Sequence, residues 1–125
     1  MKPWVYIASP YTQGDVGINV RTQHELWDLL FNLGFTPIAP LWSHYQHLHQ
    51  PRAYLDWMEY DTEIIGRCDV CLRMSGRCDA LGYVESRSNG ADAEVALFTK
   101  LGKPVVYSVV ELMEYQRRLF ECQPT

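Results

Sequence analysis

The sequence lacks any long hydrophobic run, and no segment approaches the roughly 18 to 20 apolar residues that a membrane-spanning helix needs. The apolar stretch near the N-terminus is short and is interrupted by Pro3 and Pro10, and it has no small-residue cleavage site of the kind that follows a signal peptide. The chain also has few cysteines, because four in a domain of this size do not reach the density of a disulfide scaffold. We therefore expect a reduced, cytoplasmic protein with no membrane partner.

The sequence also lacks an excess of positive charge. Lys and Arg together number 11 against 15 Asp and Glu, which gives a net charge of −4, and no run of basic residues forms a stripe. This balance argues against nucleic-acid polymers as partners, although a few donors can still hold a single small nucleotide. The composition is that of a globular chain, since 47% of the residues are hydrophobic and 21% are charged. The length predicts a single domain over residues 1–125.

What the sequence does contain is a regular alternation of short apolar segments and segments with helical periodicity. The predicted strands are residues 4–8, 35–39, 69–74 and 104–108, and the predicted helices are residues 18–33, 53–67, 91–101 and 111–122. Continuous apolar strands separated by helices indicate an α/β domain whose parallel sheet has helices on both faces. We predict an open, doubly wound, Rossmann- or flavodoxin-like sheet of four to five strands, with Pro37 directing its strand to an edge.

Three segments predicted as loops should meet beyond the carboxyl ends of these strands. They are residues 9–17, 40–53 and 75–90. In doubly wound sheets, ligands bind in the crevice at this edge, near the point where the strand order reverses. Polar residues of these loops and of the adjoining helix ends are therefore the candidates for a functional site.

Two aspartates have different explanations. Asp61 shares a helix face with Trp57 and Ile64, and a buried carboxylate costs several kcal/mol unless it has a partner or a function. An Asp61 that reaches solvent or caps a neighbouring loop explains the pattern equally well. Asp69 begins a strand, where capping a turn or pairing with Arg67 is the better explanation.

The segment Ser-Asn-Gly-Ala-Asp-Ala-Glu at residues 88–94 joins the last long loop to a helix. A Ser and a Gly at a helix start expose backbone N–H groups that can hold phosphate or hydroxyl oxygens. Glu94 lies about one turn into this helix and can point back into the crevice. A capping box, in which these polar side chains satisfy the first N–H groups of the helix, is favoured by the spacing alone.

The loop over residues 40–53 contains the pattern His-x-x-His-x-His at positions 44, 47 and 49. Such a set can bind a transition metal together with Asp56. Histidines in loops are more often simply polar, so we predict no metal and no cofactor. Aromatic residues of the loops, Tyr11 among them, either stack a base or pack against the protein.

Four short motifs, taken in order, resemble the nucleoside 2-deoxyribosyltransferase-like family. They are Tyr-Ile-Ala-Ser-Pro-Tyr at residues 6–11, Asp61 with Cys68-Asp69, Ser88-x-Gly90-x-x-x-Glu94, and Gly-Lys-Pro-Val at residues 102–105. The resemblance extends over nearly the whole chain, from residue 4 to residue 108. It implies an enzyme that cleaves or transfers at the N-glycosidic bond of a nucleoside or a nucleoside 5′-monophosphate, in the manner of the family's transferases and N-glycosidases.

The resemblance implies three catalytic residues. Glu94 matches the family nucleophile, which attacks the anomeric carbon of the sugar and forms a glycosyl-enzyme ester. Tyr6 matches the tyrosine that hydrogen-bonds to that carboxylate and orients it. Asp61 matches the acidic residue near the base, which helps to protonate the leaving nucleobase.

We place six residues in the substrate-binding set, namely Ser9, Tyr11, His44, Asp69, Ser88 and Gly90. Ser88 and Gly90 match the family loop that holds sugar or 5′-phosphate oxygens, and Ser9 with the loop after it would complete that pocket. Asp69 matches an aspartate before the third strand, which we interpret as mainly structural.

The sequence departs from the family pattern in ways that leave a second function open. Val95 and Ala96 follow Glu94 where the family has Glu-x-Gly, and residues 9–17 contain no Arg to hold a phosphate, so Arg77, Arg87 or an Arg of another subunit would have to do so. The alternative is a non-catalytic module that senses or sequesters a nucleotide. The wide apolar surface of the first helix predicts a homodimer or a larger homo-oligomer.

Overall fold

A computed structural model of the chain describes residues 1–74, 76–79, 82–85 and 88–122, and for residues 76–79 and 82–85 it describes the backbone. The elements in chain order are β1 (Trp4–Ala8), α1 (Val16–Asn32), β2 (Thr36–Ile38), a 3₁₀ turn (Pro40–Trp42), α2 (Ser43–His49), α3 (Tyr54–Ile65), β3 (Val70–Arg73), β4 (Gly76–Asp79), β5 (Gly82–Glu85), α4 (Asn89–Lys100), β6 (Val105–Val106) and α5 (Val109–Glu121). Among the helices of these described ranges, none has both the length and the apolar character needed to cross a bilayer.

The central sheet has four strands in the order β2-β1-β3-β6, and each neighbouring pair is parallel. The predicted α/β class and the parallel sheet of four strands are therefore confirmed, in a form consistent with a Rossmann-like fold. β2 lies at an edge, as Pro37 predicts. β1 lies between β2 and β3, and Tyr6 at its middle is in register with Ile38 on one side and Cys71 on the other.

Successive residues of β1 belong to two separate core clusters. Val5 and Ile7 pack in a cluster that includes Leu30 of α1 and Leu112 of α5. A second cluster contains the alternate residues of the strand together with buried side chains of α3 and α4, namely Tyr6, Ala8, Ile65, Ala91 and Phe98. Because side chains alternate across a strand, Tyr6 points toward α3 and α4.

Local signals fix the starts of the helices that border the site. Asp15 caps α1, because its side chain accepts a hydrogen bond from the backbone N–H of Ile18. Ser88 caps α4 in the same way, accepting from the backbone N–H of Ala91 at 3.0 Å. α1 ends before Gly34, whose backbone φ of +96° is rarely adopted by residues that have a side chain.

Two segments that we predicted as loops contain regular structure. Residues 40–53 hold the 3₁₀ turn and α2, since Pro40 at a first helical position starts a turn and no breaker follows it before residue 50. Residues 75–89 hold an antiparallel pair, β4 and β5, which forms its own two-stranded sheet. The predicted strand over residues 104–108 is shorter than expected, since β6 has two residues.

Candidate active site

A cavity of about 670 Å³ opens at the carboxyl edge of the parallel sheet, between α3 and the first half of α4. This size is typical of small-molecule sites, which span roughly 300 to 1,000 Å³. The walls come from the loop after β1, the 3₁₀ turn, α2, one face of α3 and the start of α4. Six of the predicted site residues line it, namely Ser9, Tyr11, Asp61, Ser88, Gly90 and Glu94.

The Tyr6 hydroxyl donates a hydrogen bond to Glu94 Oε2 beside this cavity. The Tyr6 side chain is fully buried on β1, with its ring 5.7 Å from that of Phe98. Glu94 is half-buried on α4 and contributes to the cavity wall. Since Ser88 is the N-cap residue and Glu94 lies in the second turn, the favoured capping-box explanation of this carboxylate is wrong.

Burial is the main cause of an altered protonation equilibrium at Glu94. It raises the pKa of the carboxyl to about 8, the hydrogen bond from Tyr6 lowers this pKa, the nearby Asp61 raises it and Arg73 lowers it. Burial together with the negative charge of Glu94 also raises the pKa of Tyr6 well above its ordinary value. With this raised pKa, Glu94 is mainly protonated at neutral pH, and Tyr6 remains a hydrogen-bond donor.

Asp61 projects from α3 into the same cavity. Its Oδ1 is buried and has no hydrogen-bond partner among the described residues. Burial raises the pKa of this carboxyl to about 6. Asp61 Oδ1 is therefore shielded from solvent, and the side chain makes no hydrogen bond or ion pair within the described part of the chain.

Gln23 is a site residue that the sequence reasoning missed. It is fully buried, its Nε2 donates to Ile7 O at 3.1 Å and to Ser9 Oγ at 2.7 Å, and its Oε1 accepts from Leu41 N at 2.9 Å. It thereby ties the end of β1 to the 3₁₀ turn. The signal was available, because Gln23 interrupts the inward face of α1 between Val20 and Trp27.

The loop after β1 is held against the start of α4 by amide side chains. Asn19 Nδ2 donates to the backbone carbonyls of Tyr11 at 3.0 Å and Gln13 at 2.9 Å. Gln13 Oε1 in turn accepts from the backbone N–H of Asn89 at 2.9 Å. The structure thus brings the first and last predicted binding segments together at one mouth of the cavity.

Two of the predicted binding residues lie outside the cavity wall. His44 reaches the site through Tyr11, whose hydroxyl is 2.7 Å from His44 Nδ1. Asp69 lies at the opposite, amino edge of the sheet, where its Oδ2 accepts a hydrogen bond from Trp4 N at 2.7 Å. This position fits the structural interpretation of Asp69, and we do not include it in the site.

The wall formed by α2 and α3 contains His47, which the sequence pattern suggested only as a candidate metal ligand. His47 Nδ1 accepts hydrogen bonds from Trp57 Nε1 at 3.1 Å and from Arg52 N at 3.2 Å, and all three residues line the cavity. These contacts give His47 a role other than metal binding. Within the described part of the chain, no group of three or more His, Cys, Asp or Glu side chains is arranged to hold a metal ion.

Positive charge approaches the site from two directions. Arg52 is the single Lys or Arg among the described residues that line the cavity, and it lies 3.8 Å from Asp56. Arg73 is almost fully buried at the end of β3, with its Nε 3.4 Å from Asp92 Oδ1 and a hydrogen bond to the carbonyl of Met74. Arg77 and Arg87, which we considered as phosphate ligands, lie outside the described side chains, because the structure describes only the backbone of residue 77 and does not describe residue 87.

The fold and the cavity define an α/β domain with two buried carboxylates at the carboxyl edge of a parallel sheet. Comparison with protein families finds no model that matches the chain, and comparison with curated proteins finds none of similar sequence. The assignment of a function therefore depends on the site itself.

Proposed function

We propose that the protein cleaves or transfers at the N-glycosidic bond of a nucleoside or nucleoside 5′-monophosphate, as a nucleoside 2-deoxyribosyltransferase-like enzyme. The observation that carries this proposal is the hydrogen bond from Tyr6 to Glu94 at a cavity whose facing helix presents Asp61. We also propose that the parallel sheet is doubly wound, and that its strand order reverses between β1 and β3. The strand order β2-β1-β3-β6 and the two core clusters support that arrangement.

In the proposed reaction, one carboxylate supplies electrons and the other carboxyl supplies a proton. Glu94 attacks the anomeric carbon as the bond between sugar and base breaks, and the bonding pair leaves on the base. Asp61 delivers a proton to the departing base, and Tyr6 holds the attacking carboxylate in position. Water or a second base then displaces Glu94 from the sugar, which makes the reaction a hydrolysis or a transfer.

The two pKa values restrict which protonation state performs this reaction. Between about pH 6 and about pH 8 the pair Asp61 and Glu94 holds one proton, which rests mainly on Glu94. The reactive arrangement has this proton on Asp61 instead, so it is the less populated form of the singly protonated pair. Positive charge that develops on the sugar would favour the ionised Glu94. The arrangement with the proton on Asp61 therefore becomes more favourable as the reaction proceeds.

The second candidate is a binding module without turnover. The observation that favours it is the raised pKa of Glu94, because a protonated carboxyl donates a hydrogen bond to a ligand instead of attacking it. Such a module would use the same cavity to hold a nucleoside or nucleotide. The two functions differ in whether bound ligand is converted.

The test is incubation of the protein with a panel of ribo- and deoxyribonucleosides and their 5′-monophosphates, followed by chromatography for free base. The enzyme proposal expects base release that disappears in Glu94→Ala and persists in Glu63→Ala, which changes an exposed carboxylate of the neighbouring helix. Tight binding by calorimetry without base release would favour the module. Neither binding nor release across the panel would refute both candidates.

We also propose that the protein is a homodimer or a larger homo-oligomer. Large apolar side chains are exposed on α1 and on the α2–α3 side of the cavity, among them Phe31, Leu48 and Leu55. Contact with a second copy would remove this surface from water. Light scattering at micromolar concentration should give at least twice the 14.5 kDa mass of the chain, and a monomer would contradict the proposal.

A further inference from the structure

His47 has a hydrogen-bonding arrangement that fixes its chemical form. Two N–H groups, those of the Trp57 indole and the Arg52 backbone, both point at His47 Nδ1. A ring nitrogen that accepts from a donor cannot itself carry a proton. Since a neutral imidazole has one N–H, the proton of His47 is on Nε2, and the imidazolium form is incompatible with both contacts.

The Nε2–H group of His47 is left available to a ligand. This nitrogen makes no hydrogen bond to any residue in the described ranges, and it is not a buried atom without a partner. His47 lines the cavity together with the two residues that donate to it. The cavity wall therefore includes a neutral imidazole that is held by hydrogen bonds at Nδ1 and whose Nε2–H has no partner within the described ranges.

This donor lies on the side of the cavity where the base would leave. Trp57 and Asp61 are one helical turn apart on α3 and both line the cavity, so His47 is on the Asp61 side. The serine and glycine at the start of α4 lie on a different wall, next to Glu94. An oxygen or ring nitrogen of a base next to Asp61 would thus meet His47.

We propose that His47 donates a hydrogen bond from Nε2 to an acceptor atom of the departing nucleobase and so determines which leaving groups the enzyme accepts. This inference rests on the proposed function. The bonding pair of the glycosidic bond goes to the base, Asp61 transfers the proton, and His47 keeps its own proton while its N–H stabilises the negative charge that spreads over the base. Substrates whose base develops more negative charge as it leaves benefit more from this hydrogen bond.

Two amide variants separate this donor from the packing role of His47. In His47→Asn the amide oxygen can take the place of Nδ1 and accept from Trp57 and Arg52, but the side chain ends short of Nε2. In His47→Gln the amide nitrogen can reach the place of Nε2 and donate, but no acceptor remains for Trp57. A donor role predicts that kcat falls about 10- to 100-fold in His47→Asn and about 3-fold or less in His47→Gln.

The choice of nucleoside gives a second, independent readout. The bonding pair goes to the base of both nucleosides, but negative charge develops on the base of guanosine until it is protonated, whereas the base of 7-methylguanosine starts with a positive charge and leaves neutral. The loss in kcat of His47→Asn should therefore be large with guanosine and disappear with 7-methylguanosine. The ¹⁵N shifts of His47 should show a protonated Nε2 and an unprotonated Nδ1 in the wild-type protein.

The outcomes of this experiment are distinct. Equal losses with both nucleosides, or a larger loss in His47→Gln than in His47→Asn, would show a packing role and overturn the inference while the proposed function stands. Unchanged kcat in both variants would also overturn it. Absence of base release from the wild-type protein across the whole panel of nucleosides and 5′-monophosphates would refute the proposed function, and this inference with it.

Discussion

Asp61 lines the cavity, whereas Asp69 lies at the amino edge of the sheet, and the surroundings of these two side chains differ sharply. Asp69 is at the amino edge of the sheet, exposed, with its carboxylate bonded to Trp4 N at 2.7 Å. Asp61 is at the carboxyl edge, with a buried oxygen that has no partner among the described residues and a pKa raised to about 6. An aspartate thus stabilises the fold at Asp69, where it accepts a hydrogen bond, whereas at Asp61 the burial of an unpaired carboxyl oxygen is unfavourable.

The amino and carboxyl edges of the sheet show the same difference, since polar groups are paired at the first and carboxyls are buried at the second. At the amino edge, Lys103 Nζ donates to the carbonyls of Ile65 and Gly66 at 3.0 Å each and so completes the end of α3. At the carboxyl edge, burial raises the pKa of two cavity carboxyls, Asp61 and Glu94. Unfavourable burial of titratable groups is typical of functional sites, where the cost in stability is tolerated for reactivity.

The largest expected effect is the difference in base release between a variant at the carboxyl edge and a variant at the amino edge. Glu94→Gln should reduce base release at least about 1,000-fold, because the amide cannot form the ester with the sugar. Asp69→Ala should stay within about 3-fold of the wild-type rate, since its carboxylate contacts the backbone far from the cavity. Steady-state rates on the best substrate of the panel give both numbers, and a comparable loss in Asp69→Ala would undo the contrast.

Removal of the Tyr6 hydroxyl should have the next largest effect. Tyr6→Phe keeps the ring beside Phe98 and loses the hydrogen bond to Glu94 Oε2. We expect kcat to fall about 10- to 100-fold because the attacking carboxylate is no longer oriented. Thermal unfolding of the variant serves as the control, and an unchanged kcat would exclude this positioning role.

The pH dependence of kcat/KM tests whether the two buried carboxyls act together. Below about pH 6 both are protonated and no nucleophile remains, while above about pH 8 both are ionised and no acid remains, so the profile should be bell-shaped. In Asp61→Asn the residual activity should rise with pH through the pKa of Glu94 and should not fall again. Retention of the alkaline decline in that variant would show that another group is the acid.

The free energy of unfolding should decrease with increasing pH because the ionised Glu94 carboxylate is unfavourable in the folded state. Because the folded pKa of Glu94 is raised from 4.5 to about 8, the folded state binds more protons than the unfolded state between these values, and stability falls as pH rises through them. Glu94→Gln removes this loss, so its free energy of unfolding should exceed that of the wild type by about 1–3 kcal/mol above pH 8 and match it near pH 4.5. Urea denaturation at both pH values measures the difference, and equal stabilities at the higher pH would contradict the buried charge.

The smallest effect is expected at the amino edge. Asp69→Ala should lower the free energy of unfolding by about 0.5–1 kcal/mol, because an exposed backbone N–H can bond to water once the carboxylate is gone. Urea denaturation at neutral pH gives this value. A gain in stability at this position would erase the difference between the two aspartates.

Much of the architecture could be predicted because it depends on local periodicity. Short apolar segments and helical stripes predicted four parallel strands, and Pro37 predicted the edge position of β2. The antiparallel pair of β4 and β5 was not predicted, since each strand has four residues and, within the described ranges, pairs with the other and not with the central sheet. α2 was also missed, because His and aromatic residues suggested a loop although none of them prevents a helix.

The site was predictable in part. The position of Glu94 one turn into a helix indicated a candidate, but the spacing alone favoured a capping box. The N-cap at Ser88 excludes that box, and the contact of Glu94 with Tyr6 spans 88 residues of sequence. The roles of Gln23 and His47 depend on partners from three different segments of the chain. No local pattern specifies such partners, because hydrogen bonds between distant segments form only after the sheet has brought them together.

The sequence by itself determined the class of fold and most of the strands and helices of its parallel sheet, since these follow from periodicity and from turn residues that act over a few positions. The tertiary structure alone decided which carboxylates are buried, which of them is paired, and which tautomer His47 adopts. The physical reason is that desolvation and hydrogen-bond pairing depend on neighbours contributed by the whole fold, whereas secondary structure depends mainly on neighbours in the chain.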